Sequence, residues 1–308
     1  MKGNALASFL CFIFFALYSA PSTAASFCPT DLPSSSWDDC YGSAKLPNGD
    51  VYDGLWVNGK PEGQISSSSD TMIPIVGESE PKRLALLIGN ADYSSAPLAN
   101  PVNDIILLSD ALSSLGFEIY EHRNADQKTM KRAIKKFGEQ LRLAGQNAVG
   151  FFYFSGHGLQ IKGKNYLQPI GAQFESPADV DIEMVSATAI LEQMKFARNG
   201  VNIVVLDACR SNPFPTGFRS VRNGLAIMDA PTGSILAYAT APGTIAYDGS
   251  GDNSPYAGAL AKNMMIPNRP IESVFKMVRQ SVMDETGKKQ VPWETSSLLG
   301  EFVFNNSE

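Results

Sequence analysis

The segment AVGFFYFSGHG, residues 148–158, joins a continuous apolar run to a histidine between two glycines. Its first seven residues are apolar or glycine, without the alternation that an exposed face would impose. Such a run is typical of a strand that is buried on both faces of a sheet. It ends directly in Ser155, Gly156, His157 and Gly158. An imidazole is therefore expected just beyond the carboxyl end of a central strand, where open α/β sheets bind their ligands.

The segment VNIVVLDACR, residues 201–210, repeats this arrangement. Its mainly apolar run, residues 201–206, leads within three residues to Cys209. If the two runs form neighbouring parallel strands, the imidazole of His157 and the thiol of Cys209 emerge at the same edge of the sheet. The chain has two histidines, and the other one, His122, stands in a polar stretch that predicts a solvated loop.

The rest of the main region alternates strand-like runs with amphipathic helices. Further strands are predicted at residues 83–88, 117–120, 160–161, 166–167, 234–240 and 298–304. Helices are predicted from residue 103 to 116, across residues 130–141 and 190–200, and after Ser254 and Pro270. This alternation predicts an α/β fold, in which helices cover both faces of a mainly parallel six-stranded sheet.

Residues 1–25 differ from the chain that follows them. Lys2 precedes an apolar run at residues 5–17, and small residues end the segment at Ala24 and Ala25. This order is typical of a secretory signal peptide. The alternative is a permanent membrane anchor, which is less favoured because the run is shorter than the roughly 20 residues of a membrane span. We expect cleavage after Ala24 or Ala25 and export of the mature chain to a periplasm or to the outside of the cell.

Three cysteines remain once Cys11 is removed with that segment. Cys28 and Cys40 lie close together in the sequence, and an oxidising compartment favours a disulfide between them. Cys209 is then left over. A leftover thiol in an exported protein is either a buried structural residue or a reactive one.

A small segment, residues 26–63, precedes the main region. Residues 51–52 and 55–57 have the composition of short strands, and Asn-Gly dipeptides at 48–49 and 58–59 favour hairpin turns. The spacing of aromatic residues and glycines resembles a MORN repeat, which implies contact with a membrane or another protein. The alternative is a β-hairpin that packs on, or is tethered to, the main region.

The boundaries of the main region follow from composition. Residues 64–81 are rich in serine and acidic residues without periodicity, which indicates a linker. The main domain then takes residues 82–308. The chain carries a formal net charge of -6, and it lacks the clusters of Lys and Arg that bind nucleic-acid phosphates. We therefore expect no nucleic-acid partner.

The segments at residues 148–158 and 201–210 resemble the histidine and cysteine motifs of the caspase, metacaspase and orthocaspase superfamily. The likeness extends from about residue 83 to residue 304. It is carried by SGHG at 155–158, DACR at 207–210, LANPVND at 98–104, GLA at 224–226, ATAPG at 239–243 and QVPWE at 290–294. The resemblance implies a caspase-hemoglobinase-like fold, a polypeptide substrate and cysteine endopeptidase activity.

The resemblance also gives His157 and Cys209 their roles. An isolated thiol has a pKa of about 8.5 and is mostly protonated at neutral pH, so it needs a base to become a nucleophile. His157 takes the thiol proton and then donates a proton to the leaving amine. The backbone N–H groups of Gly158 and Cys209 are implied as the oxyanion hole.

A substrate pocket is implied by the same likeness. Asp207 falls where the family has a wall of the S1 pocket, and a carboxylate there pairs with a substrate Arg or Lys, as in metacaspases. Asp104 and Ser155 fall at matching positions. Their structural alternatives are a helix N-terminal charge for Asp104 and a turn hydrogen bond for Ser155.

No cofactor is implied, although similar enzymes sometimes need calcium. The sequence has no EF-hand loop, and the scattered Asp248 and Asp252 predict no metal site.

Residues 210–231 lack core periodicity and predict a mobile loop beside the active site. Within it, Arg219 and Arg222 are either structural arginines or points of self-cleavage.

Three functions fit these residues. The first is an endopeptidase that cuts after Arg or Lys. The second is a catalytically inactive caspase-like binding or scaffold protein, because a fold does not guarantee activity. The third is a thiol hydrolase of another specificity, such as the legumain-like relatives, which have the same order of histidine and cysteine.

Overall fold

The computed structural model describes most of the chain beyond residue 25. The described residues are 26–29, 32–38, 40–46, 51–61, 80–173, 175–208, 221–222, 224–242, 244, 246, 248–249 and 251–307. The chain divides into two compact units, Met1–Gly77 and Glu78–Glu308. In the part that the structure describes, no helix has the length and apolar character needed to cross a membrane.

The N-terminal unit contains a four-stranded sheet. Its strands, in chain order and in spatial order, are β1 (Ser26–Phe27), β2 (Cys40–Lys45), β3 (Val51–Val57) and β4 (Lys60–Pro61). The two short strands predicted at 51–52 and 55–57 are in fact the single strand β3. Asn58 and Gly59 have φ angles of 51° and 71°, which a tight hairpin turn requires. The predicted hairpin at these residues is therefore confirmed, whereas residues 48–49 lie outside the described residues.

A small core holds this unit together. A disulfide joins Cys28 to Cys40, with 4.9 Å between the Cα atoms. The rings of Trp37 and Trp56 pack edge to face, with centroids 5.3 Å apart, and both side chains are buried. Among its described residues, the core of this unit thus combines a disulfide with a packed tryptophan pair, as expected for a segment too short to bury an extensive apolar core.

The main unit alternates strands and helices along the chain. In chain order these are β5 (Arg83–Gly89), α1 (Pro101–Ser114), β6 (Phe117–Arg123), α2 (Gln127–Ala144), β7 (Val149–Ser155), β8 (Gly158–Ile161), β9 (Lys164–Leu167), α3 (Val180–Glu183), β10 (Val185–Ser186), α4 (Thr188–Ala197), β11 (Val201–Asp207), β12 (Val221–Arg222), β13 (Ser234–Tyr238), α5 (Pro255–Met264), α6 (Ile271–Glu285) and β14 (Trp293–Ser296).

The central sheet has six strands in the order β14-β13-β11-β7-β5-β6. All neighbours are parallel except β13 and β14. Every residue of β7 is buried, which matches the unbroken apolar run in the sequence. The predicted mainly parallel six-stranded sheet is confirmed. A smaller antiparallel sheet, in the order β10-β9-β8-β12, lies beyond the carboxyl end of β7.

Helices cover both faces of the central sheet. A side chain added at Gly150 of β7 would meet Leu141 of α2 at 2.9 Å. Ser155 of the same strand instead donates a hydrogen bond to Asp104 of α1. Residues five apart in a strand point to opposite faces, so α2 and α1 lie on opposite faces, as predicted.

The last strand of the sheet is not where the sequence pattern predicts it. The strand predicted at 298–304 is wrong, and the sixth strand is β14, paired with β13. Phe302 and Phe304 are buried and pack against each other with ring centroids 5.1 Å apart. Between residues 298 and 304, only an isolated bridge joins Val303 to Pro270. Their apolar pattern therefore reflects packing on the core and not strand pairing.

The predicted loop at 210–231 also needs a correction. Two of its residues form β12, which pairs with Gln160 and Ile161 of β8. Arg222 belongs to this short strand, so its backbone is paired. Residues 209–220, with Arg219, lie outside the described residues.

Candidate active site

His157 lies in the short connection between β7 and β8, at the carboxyl end of the central strand. Its side chain is 7% exposed, and its Nε2 atom lies 2.7 Å from the carbonyl oxygen of Ala96. A carbonyl can only accept a hydrogen bond, so Nε2 carries the hydrogen. A neutral imidazole then keeps its lone pair on Nδ1, and Nδ1 is the atom that could accept a proton.

The loop that supplies Ala96 connects β5 to α1. The side chain of Asn124 accepts hydrogen bonds from the backbone N–H groups of Ala91 and Asp92, at 2.8 and 3.2 Å. In the same loop, Leu98 donates to the carbonyl of Ala91. Ala96 has a φ of 58°, an uncommon conformation for a residue other than glycine. The carbonyl that faces His157 is thus held by a tightly bonded loop.

Cys209 lies outside the described residues. The strand that leads to it is described to its end, and Asp207, the last residue of β11, pairs in register with Ser155 of β7. Ala208 follows and is fully buried. The chain therefore reaches position 209 from the same sheet edge at which β7 leads to His157.

Gly158, the first residue of β8, lies close to Ala208, which follows the end of β11. A Cβ at this position would lie 3.1 Å from the Cβ of Ala208 and 3.3 Å from the carbonyl oxygen of Tyr166. Both distances are tighter than ordinary contacts, so a side chain here would require Ala208 or the backbone of β9 to shift by a few tenths of an ångström. Glycine thus allows the two segments to approach closely.

Two buried carboxylates lie beside this edge. Asp104 Oδ2 accepts a hydrogen bond from the Ser155 hydroxyl at 3.0 Å, and Asp104 Oδ1 accepts one from the backbone N–H of Ser254 at 2.8 Å. Asp207 Oδ2 accepts from the hydroxyls of Tyr153 at 3.0 Å and Ser254 at 2.6 Å. Ser254 caps the N-terminus of α5 and bridges the two carboxylates. The structure therefore brings Asp104, Ser155 and Asp207 together.

Burial changes the acidity of this pair. Burial, followed by the negative charge of Asp104, raises the pKa of Asp207 to about 7. Burial, partly offset by hydrogen bonds from Ser254 and Ser155, raises the pKa of Asp104 to about 6. The hydroxyl of Tyr153, which is buried beside both groups, has a pKa well above its ordinary value. The pair therefore retains protons at a pH where exposed carboxylates are ionised.

No cation balances these charges within the described parts of the chain. The three salt bridges found there join other residues. Nor do the described residues contain a group of three or more His, Cys, Asp or Glu side chains that could hold a metal ion. Asp248 binds the backbone N–H of Ala99 at 3.0 Å, so this aspartate secures the loop before α1. A positively charged ligand would complement the buried pair.

Sequence patterns did not identify three residues that shape this edge. Tyr93 contacts His157, Tyr153 donates to Asp207, and Ser254 joins the two carboxylates. Of the three, only Ser254 had a recognisable sequence pattern, because the Ser-Pro pair predicted the start of a helix.

His122, predicted in a solvated loop, belongs instead to β6 and is partly buried, and burial lowers its pKa.

A family model described as Caspase domain matches residues 82–303 of the chain. The human mucosa-associated lymphoid tissue lymphoma translocation protein 1 is 26% identical over 170 residues, which cover 54% of this chain and 19% of that protein. Pig caspase-1 is 24% identical over 172 residues, which cover 55% of this chain and 39% of that protein. The matched region thus spans well under half the length of these relatives.

Solved structures show the same architecture. A crystal structure of caspase-1 from Spodoptera frugiperda superposes with a TM-score of 0.52 at 17% identity, and the match covers 75% of this chain and 93% of that one. At this identity the likeness concerns the fold. The predicted caspase-hemoglobinase-like architecture is confirmed.

The raised pKa values of Asp104 and Asp207 predict how the free energy of unfolding varies with pH. The folded protein holds protons on Asp104 and Asp207 at a pH where the unfolded chain has lost them, so the free energy of unfolding should fall as pH rises from about 4 to about 7. Asp207→Asn, which keeps the size of the side chain and one acceptor oxygen, should flatten this slope. Urea unfolding between pH 4 and 8 measures it.

A matched control is Asp110→Asn on the exposed side of α1, which should keep the slope of the unaltered protein. An equal slope in the Asp207→Asn protein would show that Asp207 does not hold a proton in this range.

Proposed function

Because this chain belongs to the caspase-domain family, we propose that it is a cysteine endopeptidase that cuts peptide bonds after Arg or Lys. Cys209 is the nucleophile and His157 the general base. One observation carries the proposal: β7 and β11 are parallel neighbours whose last residues pair in register. The segments that end in His157 and Cys209 therefore leave the sheet side by side.

The proposed reaction uses the tautomer that Ala96 imposes on the imidazole. His157 Nδ1 takes the proton from the thiol, and the sulfur of Cys209 attacks the carbonyl carbon of the substrate. The carbonyl oxygen gains the negative charge, for which backbone N–H groups at Gly158 and Cys209 are the proposed donors. When the C–N bond breaks, the imidazolium gives its proton to the leaving amine. Water then attacks the thioester carbon while His157 accepts a proton from it, and the C–S bond breaks to release the acid. The imidazolium returns its proton to the sulfur of Cys209.

The proposed specificity is that of the metacaspase-type relatives that the sequence resembles. Asp104 and Asp207 are buried without a cationic partner among the described residues. A buried pair of carboxylates is costly unless it is protonated or paired with a cation. A guanidinium or ammonium group of the substrate would replace the retained protons and favour the ionised pair. An acidic substrate side chain would add a third negative charge.

The peptidase proposal predicts a specific pattern of cleavage. Fluorogenic peptides ending in Arg or Lys should be hydrolysed, whereas matched peptides ending in citrulline, Asn or Asp should not. Cys209→Ala should abolish hydrolysis, and His157→Ala should lower kcat/KM by about 100-fold or more. Asp207→Asn should lower kcat/KM for Arg peptides by about 10- to 100-fold, since it removes a charged hydrogen-bond partner. Asp110→Asn is the control.

Two results would contradict this proposal. Hydrolysis after Asn would favour the legumain-like alternative. Absence of hydrolysis for every peptide, with a thiol at Cys209 that still reacts with iodoacetamide, would favour an inactive scaffold.

We also propose that the protein is exported. The support is the charged, apolar and small-residue order of residues 1–25, together with the disulfide between Cys28 and Cys40, which an oxidising compartment favours. The membrane or protein contact that the MORN resemblance implies for the N-terminal unit stays a prediction.

Export predicts a defined N-terminus. The chain expressed with residues 1–25 in a bacterium should be recovered outside the cytoplasm with Ala25 or Ser26 as its first residue, as intact mass would show. A chain recovered from the cytoplasm with Lys2 retained would contradict export.

A further inference from the structure

Tyr93 is the residue that fixes the backbone of His157, and we propose that it is a positioning residue for this general base. The inference rests on the proposed peptidase function. Tyr93 lies in the loop between β5 and α1 and is 4% exposed. It belongs to neither of the two motifs that carry the histidine and the cysteine.

Three residues form a closed ring of hydrogen bonds around the histidine. The Tyr93 hydroxyl accepts from the His157 backbone N–H at 3.0 Å and donates to the carbonyl of Gln168 at 3.1 Å. The backbone N–H of Gln168 in turn donates to the carbonyl of His157 at 2.9 Å. Both backbone polar groups of His157 are thereby held, and the hydroxyl of Tyr93 closes the ring.

The aromatic ring of Tyr93 also contacts the imidazole. The two ring centroids are 4.3 Å apart with an interplanar angle of 40°. This contact limits rotation of the His157 side chain, because a buried imidazole cannot turn without displacing the phenol ring.

Gly156 makes room for this arrangement. A Cβ at Gly156 would lie 2.6 Å from the Tyr93 hydroxyl oxygen, well inside normal contact. Gly156 also has a φ of 155°, which side chains rarely adopt. The glycine of the histidine motif therefore serves the hydroxyl of Tyr93 as well as the turn of the chain.

The same loop also contacts the imidazole side chain of His157. Ala96, three residues after Tyr93, accepts from Nε2 of the imidazole. Tyr93 thus fixes where the backbone of His157 lies, and Ala96 fixes which nitrogen carries the hydrogen. The Asn124 side chain secures the start of the loop that makes both contacts.

Loss of the Tyr93 hydroxyl should alter the orientation of the His157 imidazole and leave substrate binding unchanged. Tyr93→Phe keeps the ring but removes the acceptor of the His157 N–H and the donor to Gln168. The imidazole would then sample orientations from which Nδ1 cannot take the thiol proton. Because general-base catalysis depends on this geometry, kcat should fall about tenfold while KM stays nearly unchanged.

The test uses the mature chain that export would leave, residues 26–308, in which Cys209 is the one thiol outside the disulfide, and it has two readouts. The first is the rate at which iodoacetamide alkylates Cys209 at pH 6 to 7, followed by intact mass, because only the thiolate reacts. The second is kcat and KM on an Arg peptide. The compared proteins are the unaltered chain, His157→Ala, Tyr93→Phe and Tyr120→Phe. Tyr120 is the matched control, since its hydroxyl donates to Glu118 on β6, on another part of the sheet.

The unaltered chain and Tyr120→Phe should be alkylated fastest, His157→Ala slowest, and Tyr93→Phe about tenfold more slowly than the unaltered chain. A purely structural role would lower the melting temperature of Tyr93→Phe without changing either readout on the folded protein, and that result would overturn the inference. Equal alkylation of the unaltered chain and His157→Ala would instead refute the proposed pairing of His157 with Cys209.

A second variant covers the case in which Tyr93→Phe does not fold. Asn124 has a φ of 49°, which glycine adopts readily. Asn124→Gly therefore keeps the backbone and removes the side chain that secures the loop. It should slow alkylation and lower kcat in the same manner as Tyr93→Phe, and unchanged values would contradict a role for the loop in positioning His157.

Discussion

The parallel pairing of β7 with β11 positions both the candidate catalytic segments and the buried carboxylates. Seven consecutive residue pairs, from Val201 with Val149 to Asp207 with Ser155, fix the register. Because side chains alternate along a strand, a slip of one residue would turn Asp207 to the opposite face. The register alone sets Ser155 and Asp207 side by side on the face covered by α1 and α5, with Tyr153 two residues behind them. It also determines that the segments leading to His157 and Cys209 leave the sheet together.

That register buries Asp207 beside Asp104, and local hydrogen bonds partly offset the free energy lost when the two carboxylates leave water. Hydroxyl and amide donors from Tyr153, Ser155 and Ser254 surround the pair. These donors lower the pKa values, but burial outweighs them at both residues, and at Asp207 the negative charge of Asp104 adds to the effect of burial. A protein that needed only stability would place apolar residues here, since a buried ionisable pair rarely adds to it. We propose that the arrangement is a preorganised site for a cation.

Much of the main unit could be predicted from the sequence, because its strands are buried apolar runs and its helices have a regular apolar spacing. The position of His157 beyond β7 follows from the run that precedes it. The C-terminal strand was misplaced, since apolar residues such as Phe302 and Phe304 fill the core as readily from irregular backbone as from a strand. The contacts of Ser254 with Asp104 and of Tyr93 with His157 join residues 150 and 64 positions apart. No local pattern records such contacts, because they exist only once the helices have packed on the sheet.

The most direct test is a crystal structure of the chain after reaction with a peptidyl acyloxymethyl ketone that ends in arginine. We expect one thioether bond at Cys209, with His157 beside the sulfur, the ketone oxygen facing the N–H of Gly158, and the guanidinium within hydrogen-bond distance of Asp104 and Asp207. An adduct on another residue, or an arginine side chain left in solvent while the two carboxylates stay covered, would contradict this account of the site.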